Sequence, residues 1–217
     1  LEKKKGFVCK WDSANIVLLN SHHWITSLLK IIFLRNKGTK FVLRIDGPLN
    51  LYRNSYDSYL LDLLIYSFAV NFCSGVIYQS KWSYLKNIEK EKKLVNLPSR
   101  IIYNGSETLN CLKKRKEICL YMANSNNKFK GFETFKKLAE QSSKIESLRN
   151  LQFYAIGNIP KQNNKLININ YLGSLSKKKL SEFMQICKYY IHPSIYEACS
   201  NALIESINHG LIPLVFN

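Results

Sequence analysis

The chain has 217 residues, 46% of them hydrophobic, and a formal net charge of +17 with six cysteines. This is enough apolar material for a real core, and the signature of a disordered chain is absent. Cys9, Cys73, Cys111, Cys119, Cys187 and Cys199 form no Cys-x-x-Cys pair and no cluster with histidine, which argues against a zinc site and a disulfide framework.

In chain order, Ile16–Leu19, Phe41–Ile45 and Gly75–Tyr78 read as short buried strands, with helices over Trp24–Leu34 and Tyr56–Ala69 between them. Tyr52, Tyr56 and Tyr59 fall on one helical face and read as packing residues. Trp82–Lys93 reads as a charged surface helix, and Arg100–Tyr103 as a last strand from which Asn104-Gly105 turns away. Ser106–Lys116 is polar and basic, like a linker. A second set follows: strand Ile118–Met122, helix Phe132–Glu140, strands Leu151–Ile156 and Ile167–Tyr171, helix Lys179–Cys187, and strand Tyr189–His192 closed by Pro193. Alternating strands and helices predict parallel sheets covered by helices. The expected organisation is a first domain over 1–105, a linker over 106–116 and a second domain over 117–217.

The densest chemistry lies near the end: His192-Pro193-Ser194, Glu197, then Glu205 after seven intervening residues, then Gly210 and Pro213. Ser200 or Asn201 is a natural N-cap for a helix carrying Ala202, Leu203, Ile204 and Ile207 at helical spacing, and Gly210 is its stop. One carboxylate then sits on a loop and the other inside the helix, an arrangement that holds a polyhydroxylated ligand while helix-start amides face its phosphates. A solvated helix face would also place Asn201, Glu205 and Asn208 together.

Pro193-Ser194-x-x-Glu197-x7-Glu205 followed by Gly210-x-x-Pro213 resembles the signature of glycosyltransferase family 4, nucleotide-sugar transferases of the GT-B fold. Ile101-Ile-Tyr-Asn-Gly105, Lys130-Gly131-Phe132, Phe153-Tyr-Ala-Ile-Gly157 and Tyr171-Leu-Gly173 resemble its other segments in the expected order, as Arg44-Ile-Asp-Gly-Pro48 and Val76–Trp82 resemble its first-domain strand ends. The resemblance implies two Rossmann-like doubly wound parallel sheets, both incomplete here. The length, the opening Leu1 and the stop at Asn217 read as a fragment missing both edges.

By the same resemblance Lys130 faces the donor diphosphate, with Lys128 as a second cation, Glu197 holds the donor sugar and Glu205 accepts from ribose hydroxyls. Asn124, Gly157, Ser200, Asn201 and Ala202 complete the donor-binding set. Asn124 is a departure, because many members have an arginine about six residues before the lysine. Asp46, where the family often has histidine, would orient an acceptor hydroxyl or the donor sugar, or else cap the turn before Gly47-Pro48. His22 and His23 would line the acceptor side, and His192 reads as a core histidine.

The resemblance implies transfer with retention from a UDP- or GDP-sugar to a glycan or lipid-linked acceptor in bacterial surface polysaccharide or lipopolysaccharide synthesis. It implies no metal or other cofactor, and a cytoplasmic location at the inner face of the membrane. The charge would suit any polyanion, but the lysines lie in solvated runs such as Lys90–Lys93 and Lys177–Lys179. No nucleic-acid-binding signature accompanies them, so nucleic acid is not an expected partner. The competing readings are an inactive piece of an enzyme, and a basic module for nucleic acid or a membrane surface.

Overall fold

The computed structural model describes residues 10–106, 114–123, 128–159 and 169–216. The chain divides into two compact units, Leu1–Tyr103 and Asn104–Asn217.

The first unit carries β1 (Ile16–Asn20), α1 (Leu28–Asn36), β2 (Lys40–Ile45), α2 (Leu49–Arg53), α3 (Tyr56–Phe72), β3 (Gly75–Tyr78), α4 (Lys81–Lys90) and β4 (Ser99–Ile101). Its four strands are parallel and lie in chain order, β1-β2-β3-β4. Right-handed crossovers that all step in one direction place α1, α3 and α4 on one face of the sheet. A single core fills that face, with Phe41 and Leu43 of β2 against Ile31 and Leu34 of α1 and Ile65 and Ala69 of α3. The alternate residues of β1, Ile16 and Leu18, project to the other face and are exposed.

Two local devices shape the central crossover. Asp62 is buried on α3 and accepts from the amides of Leu49 and Asn50 at 2.8 and 2.9 Å, holding the start of α2. Asn54, at φ 45°, breaks the chain between α2 and α3, and a Ser55–Ser58 capping box restarts it. Tyr52 therefore belongs to a different helix from Tyr56 and Tyr59. The expectation that all three pack together is corrected, since Tyr56 is 74% exposed and Tyr59 is exposed as well.

The second unit carries β5 (Lys116–Ala123), α5 (Phe132–Lys144), β6 (Gln152–Gly157), β7 (Ile169–Gly173), α6 (Lys177–Met184), β8 (Cys187–His192), α7 (Asn201–Asn208) and β9 (Ile212–Val215). Its five parallel strands run β7-β6-β5-β8-β9. The chain steps outward from β5 to β7, then returns to the far side of β5, so its helices cover both faces. Alternate residues of β5 feed two cores. Cys119 and Tyr121 meet Phe135 and Phe153, while Ile118 and Leu120 meet Met184, Tyr190 and Leu211. Cys187 opens β8; the expected helix through Lys179–Cys187 stops at Met184. Cys73, Cys119 and Cys187 are buried and Cys199 is half-buried, all as free thiols. Among the described residues no helix is long and apolar enough to cross a membrane.

Candidate active site

In an open parallel sheet, ligands gather beyond the strand carboxyl ends where strand order reverses. In the second unit that place lies between β5 and β8. The turn Lys128–Lys130 follows β5, and the loop from Pro193 to Cys199 follows β8. Tyr121 donates its hydroxyl to the Lys130 carbonyl at 3.1 Å, and the Ile195 amide donates to the Phe129 carbonyl at 2.9 Å. The rings of Phe129 and Tyr196 pack at 5.6 Å between centroids. The two segments are thereby sewn together.

Gly131 makes this approach possible. Its φ is +73°, and a Cβ there would collide with the Pro193 carbonyl oxygen. Immediately beside it, Lys130 Nζ lies 2.6 Å from Glu197 Oε2. Both side chains are partly exposed, 36% and 25%, so a ligand can reach the ammonium and the carboxylate together. Such a pair adds little to stability; its meaning is one of placement. His192, at the end of β8, stands beside the pair. Burial pushes its pKa down, Glu197 pulls it back up, and Lys130 adds to the downward shift. Its Nδ1 is 3.4 Å from the Tyr190 hydroxyl. The reading of His192 as a core histidine is thus incomplete, because the ring is half-buried and next to the charged pair.

Ser200 caps α7 by accepting from the Leu203 amide at 3.3 Å, and Asn201 and Ala202 form the first turn. Asn104 donates to the Cys199 carbonyl at 2.9 Å and to Asn201 Oδ1 at 2.8 Å, and Asn208 donates to the Ser106 carbonyl at 3.1 Å. The Asn104 bonds fix the helix start that points at the loop, and the Asn208 bond holds its last turn. One turn further along, Glu205 lines a cavity of about 290 Å³ with Gly105, Ser106, Lys177, Ser181 and His209.

His209 is buried and fully committed. Its Nδ1 lies 2.7 Å from the Glu205 carbonyl, which can only accept, so Nδ1 carries the proton. Nε2 is then the acceptor, and Ser181 donates its hydroxyl to it at 3.0 Å. Arg115 donates to the His209 and Cys187 carbonyls at 2.6 and 2.8 Å. Ser181 spends its hydrogen on His209, and it lines the same cavity as Glu205.

Of the residues expected from sequence, Lys130 and Glu197 are in contact, Ser200, Asn201 and Ala202 head α7, and Glu205 lines the cavity. Lys128 opens the turn and is exposed. Gly157 ends β6 at φ +119°, paired with Ala123 at the end of β5, whose carbonyl a Cβ would strike. Asn124 lies outside the described residues. Arg115, Lys177, Ser181 and His209 escaped the sequence reading. Only the i,i+4 spacing of Glu205 and His209 hinted at them.

Asp46 belongs to the first unit, just past β2. Its backbone carbonyl accepts from Ser83 Oγ at 3.0 Å and Asn87 Nδ2 at 2.7 Å, while its Oδ1 is buried without a hydrogen-bond partner. Burial raises the carboxyl pKa, against the opposing pull of Arg44, His22 and His23. Nearby, Ser21 holds a left-handed φ of 44° at the end of β1, a sparsely populated conformation for a residue with a side chain. Its amide bonds the Arg44 carbonyl at 2.7 Å, and its hydroxyl meets His22 Nδ1 at 3.3 Å.

Residues 110–217 match the family model described as Glycosyl transferases group 1. No curated protein matches the sequence. Among solved structures, a mutant of TarM from S. aureus, in complex with fondaparinux, alpha-GlcNAc-glycerol and UDP, superposes with a TM-score of 0.69 at 16% identity, covering 88% of this chain and 39% of that one. HepE from Anabaena, in complex with UDP and glucose, gives 0.69 at 15% identity, covering 90% and 58%. The pneumococcal O-GlcNAc transferase GtfA, in complex with UDP and GlcNAc, gives 0.63 at 16% identity, covering 93% and 42%. The chain thus spans 39–58% of the length of these three structures. The two parallel α/β units have the GT-B fold, and the stretch 110–217, which holds the Lys130–Glu197 pair, matches the model of the glycosyl transferases group 1 family.

Proposed function

We propose that the protein transfers a sugar from a nucleoside-diphosphate sugar, UDP- or GDP-linked, to a glycan or lipid-linked acceptor with retention of anomeric configuration, in bacterial surface polysaccharide or lipopolysaccharide synthesis. Residues 1–105 form the acceptor side in this reading and 117–217 the donor side. The observation that carries it is the 2.6 Å contact between Lys130 and Glu197 at the strand-order reversal, one loop away from the capped start of α7.

When the glycosidic bond breaks, negative charge builds on the departing diphosphate. Lys130 meets that charge, with Lys128 as a second cation, together with the first-turn amides behind Ser200; one such donor is typically worth about 2.7–4 kcal/mol to the transition state. Glu197 accepts from hydroxyls of the donor sugar, and its contact with Lys130 ties the sugar's position to that of the phosphate. Glu205 accepts from the vicinal ribose hydroxyls, which suit a two-oxygen carboxylate. No step in this reading requires a metal. Asp46, half-buried and lacking a partner for one oxygen, is the group proposed to orient an acceptor hydroxyl.

Structures of similar fold that hold UDP favour a UDP-sugar as the first donor to test. Thermal shifts and calorimetry across UDP- and GDP-sugars would settle donor binding, with product analysis for stereochemistry. Glu205→Ala should abolish the donor-dependent shift, and Glu197→Ala should remove discrimination between sugars. An unchanged response in both variants would reject the site.

A further inference from the structure

The short segment that opens the second unit is bonded to both ends of α7. Asn104 donates to the Cys199 carbonyl and to Asn201 Oδ1 at the helix start, at 2.9 and 2.8 Å, and the Ser106 carbonyl accepts from Asn208 in the last turn at 3.1 Å. Gly105 and Ser106, between these anchors, form part of the wall of the cavity that Glu205 lines. The transfer proposed above uses Glu205 and the first-turn amides of α7. It gives the Asn104 side chain no task.

The two bonds of Asn104 fix more than a distance. A carboxamide has an accepting arm and a donating arm of nearly equal shape, and only its partners decide which is which. The Cys199 carbonyl can only accept, so the Asn104 atom beside it is the nitrogen. The same nitrogen meets the carboxamide of Asn201, which must therefore turn its oxygen toward Asn104. The donating arm of Asn201, with two N–H groups, is left on the other side of its planar group.

That arm stands where an anion is to be received. Asn201 is the first residue of α7 and is exposed, and among the described residues its Nδ2 has no hydrogen-bond partner. Ser200 accepts the Leu203 amide on its hydroxyl and the Ile204 amide on its carbonyl, so the cap leaves the amides of Asn201 and Ala202 to a ligand. Flipped the other way, Asn201 would put a carbonyl oxygen at the positive end of the helix and oppose the same ligand. The Asn104–Asn201 bond lies at the surface, where exchange with water leaves a small net gain in stability. What it supplies is orientation.

We infer that Asn104 is a positioning residue of the donor site: it holds the carboxamide of Asn201 with both N–H groups free for a diphosphate oxygen, beside the first-turn amides of α7. This rests on the donor-side reading above and adds to it two residues that act in series.

The test is calorimetry of the full chain with UDP and GDP, with ligand-observed NMR of the matching nucleoside. Uridine or guanosine reports on the Glu205 end of the site alone, and the nucleotide reports on both ends. Asn104→Ala should weaken the nucleotide about tenfold, the low end for a hydrogen bond to a charged group, and leave the nucleoside unchanged. Asn201→Ala should do the same. The double variant should bind as weakly as either single one, since both residues act through one pair of N–H groups. Asn201→Asp keeps an oxygen for Asn104 and exchanges the N–H groups for a second oxygen. Its melting temperature should hold or rise, because a carboxylate suits a helix start, yet the nucleotide should bind about tenfold more weakly or worse. The inference is overturned if the wild type binds the nucleotide and Asn104→Ala binds it equally well. It is equally overturned if the two single losses add in the double variant, or if nucleoside binding falls in step with nucleotide binding. Should Asn104→Ala not fold, wild-type affinity in both Asn201 variants overturns it. A wild type that binds neither UDP nor GDP removes the donor-side reading and this inference together.

Discussion

The two units share a strand grammar and differ in how their functional residues are held. In the second, the loop after β8 is fastened to the turn after β5 by a backbone hydrogen bond, a ring pair and a glycine with no room for a side chain, and the Lys130–Glu197 contact follows from that closure. In the first, Asp46 is anchored through its backbone carbonyl, and among the described residues its Oδ1 has no partner. Fastened groups are preorganised for a fixed ligand such as a diphosphate, whereas a half-buried carboxylate with one buried, unpartnered oxygen retains a cost that a ligand can relieve. The outer surfaces differ in the same sense. On α5 the pairs Lys136–Glu133 and Lys144–Glu140 occupy the water side, while α1 and α3 present leucine and aromatic rings there.

The largest expected effect comes from removing the cation. Lys130→Ala should lower kcat of sugar transfer by about 10²–10³, the loss typical of one donor to developing charge. Asp46→Ala in the first unit should leave the binding of UDP unchanged while slowing transfer. Loss of UDP binding in the Asp46 variant would erase the division of labour between the units. Next, Gly131→Ala should destabilise the second unit by about 1–3 kcal/mol, because it forces both a left-handed φ and a clash with the Pro193 carbonyl. Chemical denaturation monitored with and without UDP would show whether the ligand can still draw the two loops together. Glu205→Ala follows, with donor affinity reduced by the worth of hydrogen bonds to a charged group, about 1.5–3 kcal/mol, read by calorimetry.

Much of the second unit was legible because its chemistry is local in sequence. The carboxylates of Glu197 and Glu205 flank a helix start, so the Ser200 cap and the helical spacing of Leu203 and Ile207 place both. Lys130 was readable through the resemblance of Lys130-Gly131-Phe132 to a family segment, with Gly131 allowing close backbone approach. The cavity was not legible. His209 and Ser181 meet only because α6 and α7 pack side by side, and neither stands in a pattern of its own. In the first unit the strands were readable from apolar runs, but the break at Asn54 was hidden inside a plausible helical pattern. Tyr52, Tyr56 and Tyr59 satisfied helical spacing while belonging to two helices. The exposed leucines of α3 look like core residues to any periodicity argument, since only the fold tells which side of a helix with leucines all round it faces water.

Asp46→Asn gives a smaller and opposite-signed effect. A carboxyl whose pKa is raised in the folded state makes ionisation a cost to folding at neutral pH. The neutral amide should therefore raise Tm at pH 7, and the gain should shrink as pH falls through the folded-state pKa and Asp46 becomes protonated. A variant that gained stability and kept full transfer would remove Asp46 from the proposed acceptor side.

The smallest effect compares the units through their histidines. Burial lowers the pKa of His22 in the first unit and of His192 in the second, opposed by Asp46 in one and by Glu197 in the other. In each case the unfolded chain takes up a proton at a higher pH than the folded one, so stability is lost as pH falls below about 6.5 and levels off beneath the folded-state pKa. His192→Gln should flatten that acid loss more than His22→Gln, because His192 is the more deeply buried ring. The same substitution also removes a ring that meets the Tyr190 hydroxyl and feels both Lys130 and Glu197. The pH dependence of UDP binding should thus change in His192→Gln and stay unaltered in His22→Gln. If both variants shift the binding profile alike, the histidines act through the net charge of the molecule, and the nearness of His192 to the pair has no bearing on the ligand.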